Sequence, residues 1–259
     1  MTICPKNAEA IEEMRAAGQV VAEVLQRLRE MTRPGVTTAE LDAEAVRIMK
    51  GRGARSIFLG QRHPRGGRLY PGNICVSVNE ELVHGIPGPR KIAEGDIVSV
   101  DVGVEKDGWC GDAARTFAVG RVSDRVAALL AVTSEALDIV RREARAGVLW
   151  SAVAGQIEAH VARAGFSIVT DYVGHGIGRK MWEEPRVPNY VGRDMARDDF
   201  LLVEGLTLAA EPMVNMGRRE VREKEDGWTV VTADGKPCAH FEDTFVVRRD
   251  GAEALTRLA

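Results

Sequence analysis

The sequence contains no apolar run near the ~18–20 residues that a membrane span needs. Its N-terminal stretch, MTICPKNAEAIEEMR, has neither the basic segment nor the apolar core of a secretory signal. No CxxC pair occurs. The four cysteines, Cys4, Cys75, Cys110 and Cys238, stand far apart, which fits neither a zinc ribbon nor a disulfide framework. A cytoplasmic protein with reduced thiols is expected. Positive charge is not in excess: 35 Lys+Arg against 38 Asp+Glu leave a formal net charge of −3, so nothing electrostatic points to nucleic acid as a partner. Low-complexity segments, literal internal repeats and coiled-coil runs are missing too, and a monomer that engages neither membrane nor nucleic acid is expected. What is present is ordinary for a globular protein: 259 residues, 45% hydrophobic and 28% charged, within reach of one large domain or two small ones.

Periodicity supplies the elements. Ile11, Met14, Gly18, Val21, Leu25 and Leu28 recur at steps of three and four, the stripe of a first helix. Thr37 and Glu40 have capping-box spacing ahead of Leu41, Ala45 and Ile48, so a second helix begins there and stops at Gly51. Residues 53–73, rich in Gly, Arg and Pro, read as loop. Strands are expected at NICVSV, at residues 97–104 and at AARTFAVG. Within 97–104, Val98, Val100, Val102 and Val104 share one face, while Asp101 points to the other with Ile97 and Ser99. After residue 121 the order begins again. Amphipathic helices are expected over 123–145 and 151–164, the second stopped by Gly165, followed by strands at SIVTDYV, LTLAAEPMV, GWTVV and FEDTFVV. Residues 179–200 read as the longest later loop. The two halves, about 1–121 and 122–259, each run helix, helix, strands. That segregation predicts an α+β fold, with helices on one face of a curved, mostly antiparallel sheet.

Four acids occupy strand positions that would prefer other residues: Asp101 in VDVG, Asp112 in CGDAAR, Glu211 in AAEPM and Glu242 in HFEDT. Alternation puts Glu211 on the face of Thr207 and Ala209, and Glu242 on the face of Thr244 and Val246. Singly, a strand-end acid is commonly solvated or paired with an arginine. Four together in apolar strands shift the weight away from that reading, and if they converge they cannot all ionise in a dry site without cations. Two divalent ions would balance them charge for charge. Oxygen ligands with one imidazole suit Mn, Fe, Co or Zn in a two-metal site, with the ions about 3.5–4 Å apart. The imidazole is expected from His175 in GHGIGR, whose glycines let backbone approach a ligand and adopt positive φ. His84, in NEELVHGIPG, enters a Gly-Pro turn at the mouth of a sheet, where a substrate would lie. His63 reads as a solvated loop residue and His160 as structural on its helix. His240 reads as sharing a strand and a face with Glu242, in reach of a supporting role.

Asp101, Asp112, His175, Glu211 and Glu242, in that order within DVGV, GDAART, GHGIGR, AEPMVN and FEDT, form a signature over nearly the whole chain. It resembles that of the bacterial type I methionine aminopeptidases, which have the duplicated pita-bread fold. The resemblance implies a single catalytic domain over residues 1–259. It implies removal of the N-terminal methionine from nascent polypeptides or peptides with a small second residue, by a hydroxide held on two divalent ions. Asp101 would bind one ion, Asp112 and Glu242 would bridge both, and His175 and Glu211 would complete the other, with Glu211 also shuttling the proton. His84 would contact the scissile peptide and help stabilise the transition state. The methionine side chain would lie against Phe58, Tyr70, Cys75, Met181 and Trp228. Where the family usually has a second, substrate-contacting histidine, this chain has Trp182, and indole can donate one hydrogen bond but cannot accept one or carry a proton. His240 stands where a glutamine is usual, and Asp243 where a histidine is usual. Two other readings remain open at this point: an X-Pro aminopeptidase or dipeptidase relative, and a binding module that kept the fold and lost catalysis.

Overall fold

A computed structural model of the chain describes residues 3–63, 66–192 and 195–258. The apolar stripe of the first helix becomes α1 (Ala8–Met31), started by the Asn7 side chain accepting from the Ala10 N–H, with all six stripe residues buried. The capping box closes as the spacing predicts: Thr37 and Glu40 exchange hydrogen bonds at the start of α2 (Thr38–Gly51). Five strands follow: β1 (Arg55–Ser56), β2 (Cys75–Val78), β3 (Glu81–Val83), β4 (Ile97–Lys106) and β5 (Trp109–Ala118). β4 and β5 pair antiparallel around Asp107–Gly108, both at positive φ, a two-residue turn of the kind that suits strand twist. Val98, Val100, Val102 and Val104 are fully buried beneath α1 and α2. At ~1.5–3 kcal/mol for each buried side chain, this face anchors β4 whatever its other face carries. α1 comes close to β5 at Gly18 and Gly111. A Cβ on Gly18 would stand 2.3 Å from the Leu255 carbonyl oxygen, and one on Gly111 would stand 2.9 Å from the Gly18 nitrogen.

The second set begins with α3 (Asp124–Glu143), capped by Ser123, and α4 (Trp150–Arg163). Then come β6 (Ser167–Ile168), β7 (Gly174–Gly176), β8 (Glu183–Val187), a short α5 (Met195–Asp198), β9 (Thr207–Ala210), β10 (Met213–Asn215), β11 (Val221–Glu223), β12 (Val230–Thr232), β13 (Cys238–His240), β14 (Asp243–Val247) and β15 (Ala252–Ala254). Two sheets carry the architecture: β1-β4-β2 with β5 on the far side of β4, and β15-β14-β9-β7-β8. Two three-stranded sheets, β13-β10-β6 and β11-β12-β3, flank them. Every strand pair among the described residues is antiparallel. α3 and α4 cover the second sheet through a core that includes Leu137, Val140, Trp150, Ile157, Leu208 and Phe245. No helix among the described residues is long and apolar enough to cross a membrane.

Several expectations change. LTLAAEPMV is two strands on different sheets, because Pro212 offers no N–H to a ladder and the chain breaks at Glu211–Pro212. Glu211 therefore lies just past β9, and Glu242 just before β14. His240 ends β13, so it shares neither strand nor sheet with the segment that follows Glu242. Residues 179–200 hold β8 and α5 rather than a continuous loop. SIVTDYV is extended only at Ser167–Ile168 before the chain bends toward β7.

Candidate active site

The pleat of β4 and β5 brings the first two acids together. Asp101 pairs with Ala114 and Gly103 with Asp112, so the aspartates are diagonal neighbours on one face. Cys75 on β2 is directly opposite Asp101. A pair of backbone hydrogen bonds then joins the two large sheets: Glu242 N–H donates to the Ala114 carbonyl (2.9 Å) and Ala114 N–H to the Glu242 carbonyl (3.3 Å). Thr244 adds a second stitch, accepting from Asp112 N–H and donating to its carbonyl. Glu242 is thereby fixed against β5 from the other half of the chain.

His175 lies in the middle of β7, opposite Ala209 of β9, and Glu211 is two residues beyond Ala209. The glycines around His175 serve a purpose other than the one expected from the sequence. Neither Gly174 nor Gly176 has positive φ. A Cβ on Gly174 would stand 2.2 Å from the Ala209 carbonyl oxygen, and one on Gly176 would stand 2.2 Å from that of Glu184. The glycines let β8 and β9 close on β7 from both sides. His175 Nδ1 is 2.9 Å from the Gly176 carbonyl oxygen, which can only accept, so Nδ1 is the donor there, and in the neutral ring Nε2 is the nitrogen left with a lone pair. Nε2 faces Glu211 Oε1 at 3.9 Å.

Ligand atoms of Asp112, His175 and Glu242 lie within 4.8 Å of one another. Asp112 and Glu242 are buried. Asp101 Oδ1, Asp112 Oδ1 and Glu242 Oε1 are buried with no hydrogen-bond partner among the described residues. Burial pushes the Asp101 and Glu211 carboxyls up to about 7; nearby Glu211 raises Asp101 further, while His240 and His175 act in the opposite direction on Asp101 and Glu211 respectively. Burial and the neighbouring carboxylates drive Asp112 and Glu242 well above the usual range. Orphaned carboxylate oxygens crowded round a free imidazole lone pair are a donor set that suits divalent cations.

These five residues form the floor of a cleft whose empty volume, including its open mouth, is about 520 Å3. Its walls are Phe58, Gln61, Tyr70, Cys75, His84, Met181, Trp182 and Trp228. The Tyr70 hydroxyl donates to the Gly85 carbonyl (2.9 Å), and Trp228 Nε1 donates to the Arg68 carbonyl (2.9 Å), so both rings turn apolar surface inward. Burial pushes the Cys75 thiol well above its ordinary value, which keeps it neutral beside Asp101. His84 has φ +59 and stands edge-on to Tyr172 and Trp228. Burial, aided by His240 and His63, holds its pKa down to about 4, so the ring is neutral at pH 7. Trp182 is 55% exposed at the rim.

His63 is not a solvated loop residue. Its ring stands edge-on to Trp228, and its Nε2 is 3.2 Å from Glu223. His160 lies outside the cleft, 3.2 Å from Glu135 between α3 and α4. Two features carried no sequence signal. Gln61 reaches the cleft because its amide donates back to the Ile57 carbonyl. Asp243, fully buried, accepts from Arg115 (2.6 Å), Arg257 (3.0 Å) and Thr256 (2.8 Å), and Arg115 also donates to the Glu242 carbonyl. The C-terminal residues thus brace the segment that carries Glu242.

Residues 12–249 match metallopeptidase family M24. Methionine aminopeptidase 1 of Bacillus subtilis is 44% identical over 258 residues, 100% of both chains. Methionine aminopeptidase of Escherichia coli is 39% identical, over 99% of this chain and 94% of that one. Among solved structures, methionine aminopeptidase from Thermotoga maritima superposes with a TM-score of 0.91 at 41% identity, covering 99% of this chain and 100% of that one. Xaa-Pro dipeptidase from Bacillus anthracis reaches 0.77 at 23% identity over 62% of its length, a likeness of fold alone. The α+β pita-bread arrangement expected from the sequence is the one these structures share. The chain belongs to metallopeptidase family M24, within the group formed by the bacterial methionine aminopeptidases.

Proposed function

We propose that this chain removes the N-terminal methionine from proteins and peptides with a small second residue. Asp101, Asp112, His175, Glu211 and Glu242 would hold two divalent ions. The carrying observation is the convergence of four carboxylates and one imidazole beneath apolar walls. Divalent-metal use comes with the family; cobalt, manganese, iron and zinc all suit this donor set. Bound there, the ions supply Lewis-acid polarisation of the scissile carbonyl and lower the pKa of water toward neutrality.

The chain's own groups do the rest. Phe58, Tyr70, Cys75, Met181 and Trp228 take the methionine side chain and exclude water. Neutral His84 donates to the scissile peptide as its carbonyl oxygen gains charge. Glu211 accepts the proton of the attacking water and passes it to the leaving amine. Both halves, about 1–121 and 122–259, contribute ligands, which supports one catalytic domain over residues 1–259. Four free thiols, three of them buried, suit a reducing cytoplasm, where a monomer would meet nascent N-termini; neither nucleic acid nor membrane enters this reading.

The test is a peptide panel with protein reconstituted in each of the four metals. Methionine release from Met-Ala peptides, weak release from Met-Leu, none from X-Pro, and complete loss on chelation are expected. Cleavage of X-Pro peptides instead would contradict the proposal, as would metal-loaded protein inert on every Met-X peptide.

Two further results are expected. Indole at Trp182 cannot accept a hydrogen bond or move a proton, so Trp182→His should raise kcat several-fold with metal content unchanged. Because the residue is exposed, stability should change by only ~0.5 kcal/mol. A fall in kcat would sink this idea. The second concerns metal-free protein. Asp101 and Glu211 titrate near 7 when folded, above their ordinary 3.8 and 4.5. The folded form then binds more protons than the unfolded form, so stability falls as pH rises from about 4 to about 7. The Tm of chelated protein should fall across that window and recover on adding metal at pH 7.5. A pH-independent Tm would contradict the crowding of these carboxyls.

A further inference from the structure

His240 stands beside Glu211, and no step above uses it. It is held hard. It pairs with Met213 in the ladder between β13 and β10. From the opposite side, the Thr116 hydroxyl donates to its carbonyl (2.8 Å) and accepts from its N–H (3.0 Å). Ser99 Oγ lies 2.8 Å from that hydroxyl. The imidazole is 2% exposed, and its Nε2 has no hydrogen-bond partner among the described residues. That nitrogen lies 3.6 Å from Glu211 Oε2.

The Glu211 carboxylate thus sits between two imidazoles, one at each oxygen: His175 at Oε1 and His240 at Oε2. The two are not equivalent. His175 commits Nδ1–H to the Gly176 carbonyl, so the nitrogen it turns to Glu211 is a lone pair, suited to a cation. A carboxylate oxygen accepts only, so the group that suits Oε2 is an N–H. We propose that His240 is a positioning residue for Glu211. Its Nε2–H donates to Oε2 and turns Oε1 toward His175, the side on which these two residues would hold a divalent ion. The present separation of 3.6 Å exceeds an ordinary N–H···O contact of about 3.0 Å, and the proposed bond requires the carboxylate to approach the ring. The β9–β10 break gives that geometry its purpose. Glu211 lies outside any ladder, before Pro212, so the backbone alone orients it less than Asp101 or Asp112 is oriented on continuous strands.

Outer hydrogen bonds of this kind typically change metal affinity 10–100-fold when removed. The inference rests on the metal reading of the site, and the experiment separates the two. Wild type, His240→Gln and His240→Leu are stripped of metal. Each is titrated with Co2+ by calorimetry, and the visible absorption of the Co2+ form is recorded. Leucine fills the space without a donor and should weaken Co2+ binding by ~10–100-fold. Glutamine, whose amide can donate to Oε2, should bind within a few-fold of wild type and keep the wild-type absorption bands. kcat should follow the same order, with KM for a Met-Ala peptide little changed. Should the leucine variant fail to fold, His240→Asn, too short to reach Glu211, is expected to show the same weakening. Wild-type affinity in the donor-free variant overturns the proposal, as does glutamine as weak as leucine. Altered bands in the glutamine variant also overturn it, because they would make His240 a ligand itself. If wild type binds no Co2+, the metal reading falls and the inference with it; tight wild-type binding unmoved by the substitutions removes the inference alone.

Discussion

Glu242→Gln is expected to abolish methionine release, lowering kcat/KM by ~10^3-fold or more. The figure follows from the several kcal/mol that metal ions contribute at a transition state and from 1.36 kcal/mol per tenfold in rate. The substitution keeps the shape of the side chain and changes its charge. Glu242 is buried at the seam of the two large sheets, held by paired backbone bonds to Ala114 and by Arg115 on its carbonyl. The backbone there should not move, so the loss reports the carboxylate. A second readout separates a lost ligand from a damaged fold. Metal-free Glu242→Gln should be no less stable at pH 7 than metal-free wild type, since a neutral amide replaces one of the carboxyls crowding Asp112. Reduced metal content and reduced activity with undiminished apo stability is the expected pattern. A large drop in apo Tm would assign the loss to folding.

His84→Ala is expected to lower kcat by ~10^2–10^3-fold, the usual cost of removing one preorganised donor at a developing oxyanion. Metal content should not change, because His84 belongs to the cleft wall rather than to the acid cluster on its floor. The ring is held between Tyr172 and Trp228 on a backbone at φ +59, a conformation that a non-glycine residue adopts only when its surroundings impose it. With its pKa held near 4, the ring donates as neutral imidazole, so activity between pH 6 and 8 should carry no titration that His84→Ala removes. Loss of bound metal in this variant would give His84 a different role.

Much of this arrangement was legible in residue order. β4 alternates without a break, so Asp101 could be assigned to the face opposite four core valines. The helix start at Thr37 follows from a side-chain oxygen that satisfies a free N–H group. Local signals stop where tertiary pairing decides. Alternation suggested that Glu211 and Glu242 lie within strands, yet both sit in breaks, one before Pro212 and one at the seam with Ala114. The glycines beside His175, expected to adopt positive φ near a ligand, are instead points of close strand contact, which depends on β8 and β9 closing from elsewhere in the chain. His63 and Gln61 enter the picture because the loop after Phe58 folds back on the Trp228 wall. The Asp243 network joins residues 115, 243 and 257, a separation that no sequence period encodes.

The most direct test of the account is a titration of metal-free protein with Mn2+ or Co2+, following bound metal and methionine release from a Met-Ala peptide in the same samples. Two ions per chain are predicted, with activity absent before metal and rising as the acid cluster fills, and with Glu242→Gln failing to follow. Methionine release from fully metal-free wild type would contradict the account, as would metal binding and activity that survive intact in Glu242→Gln.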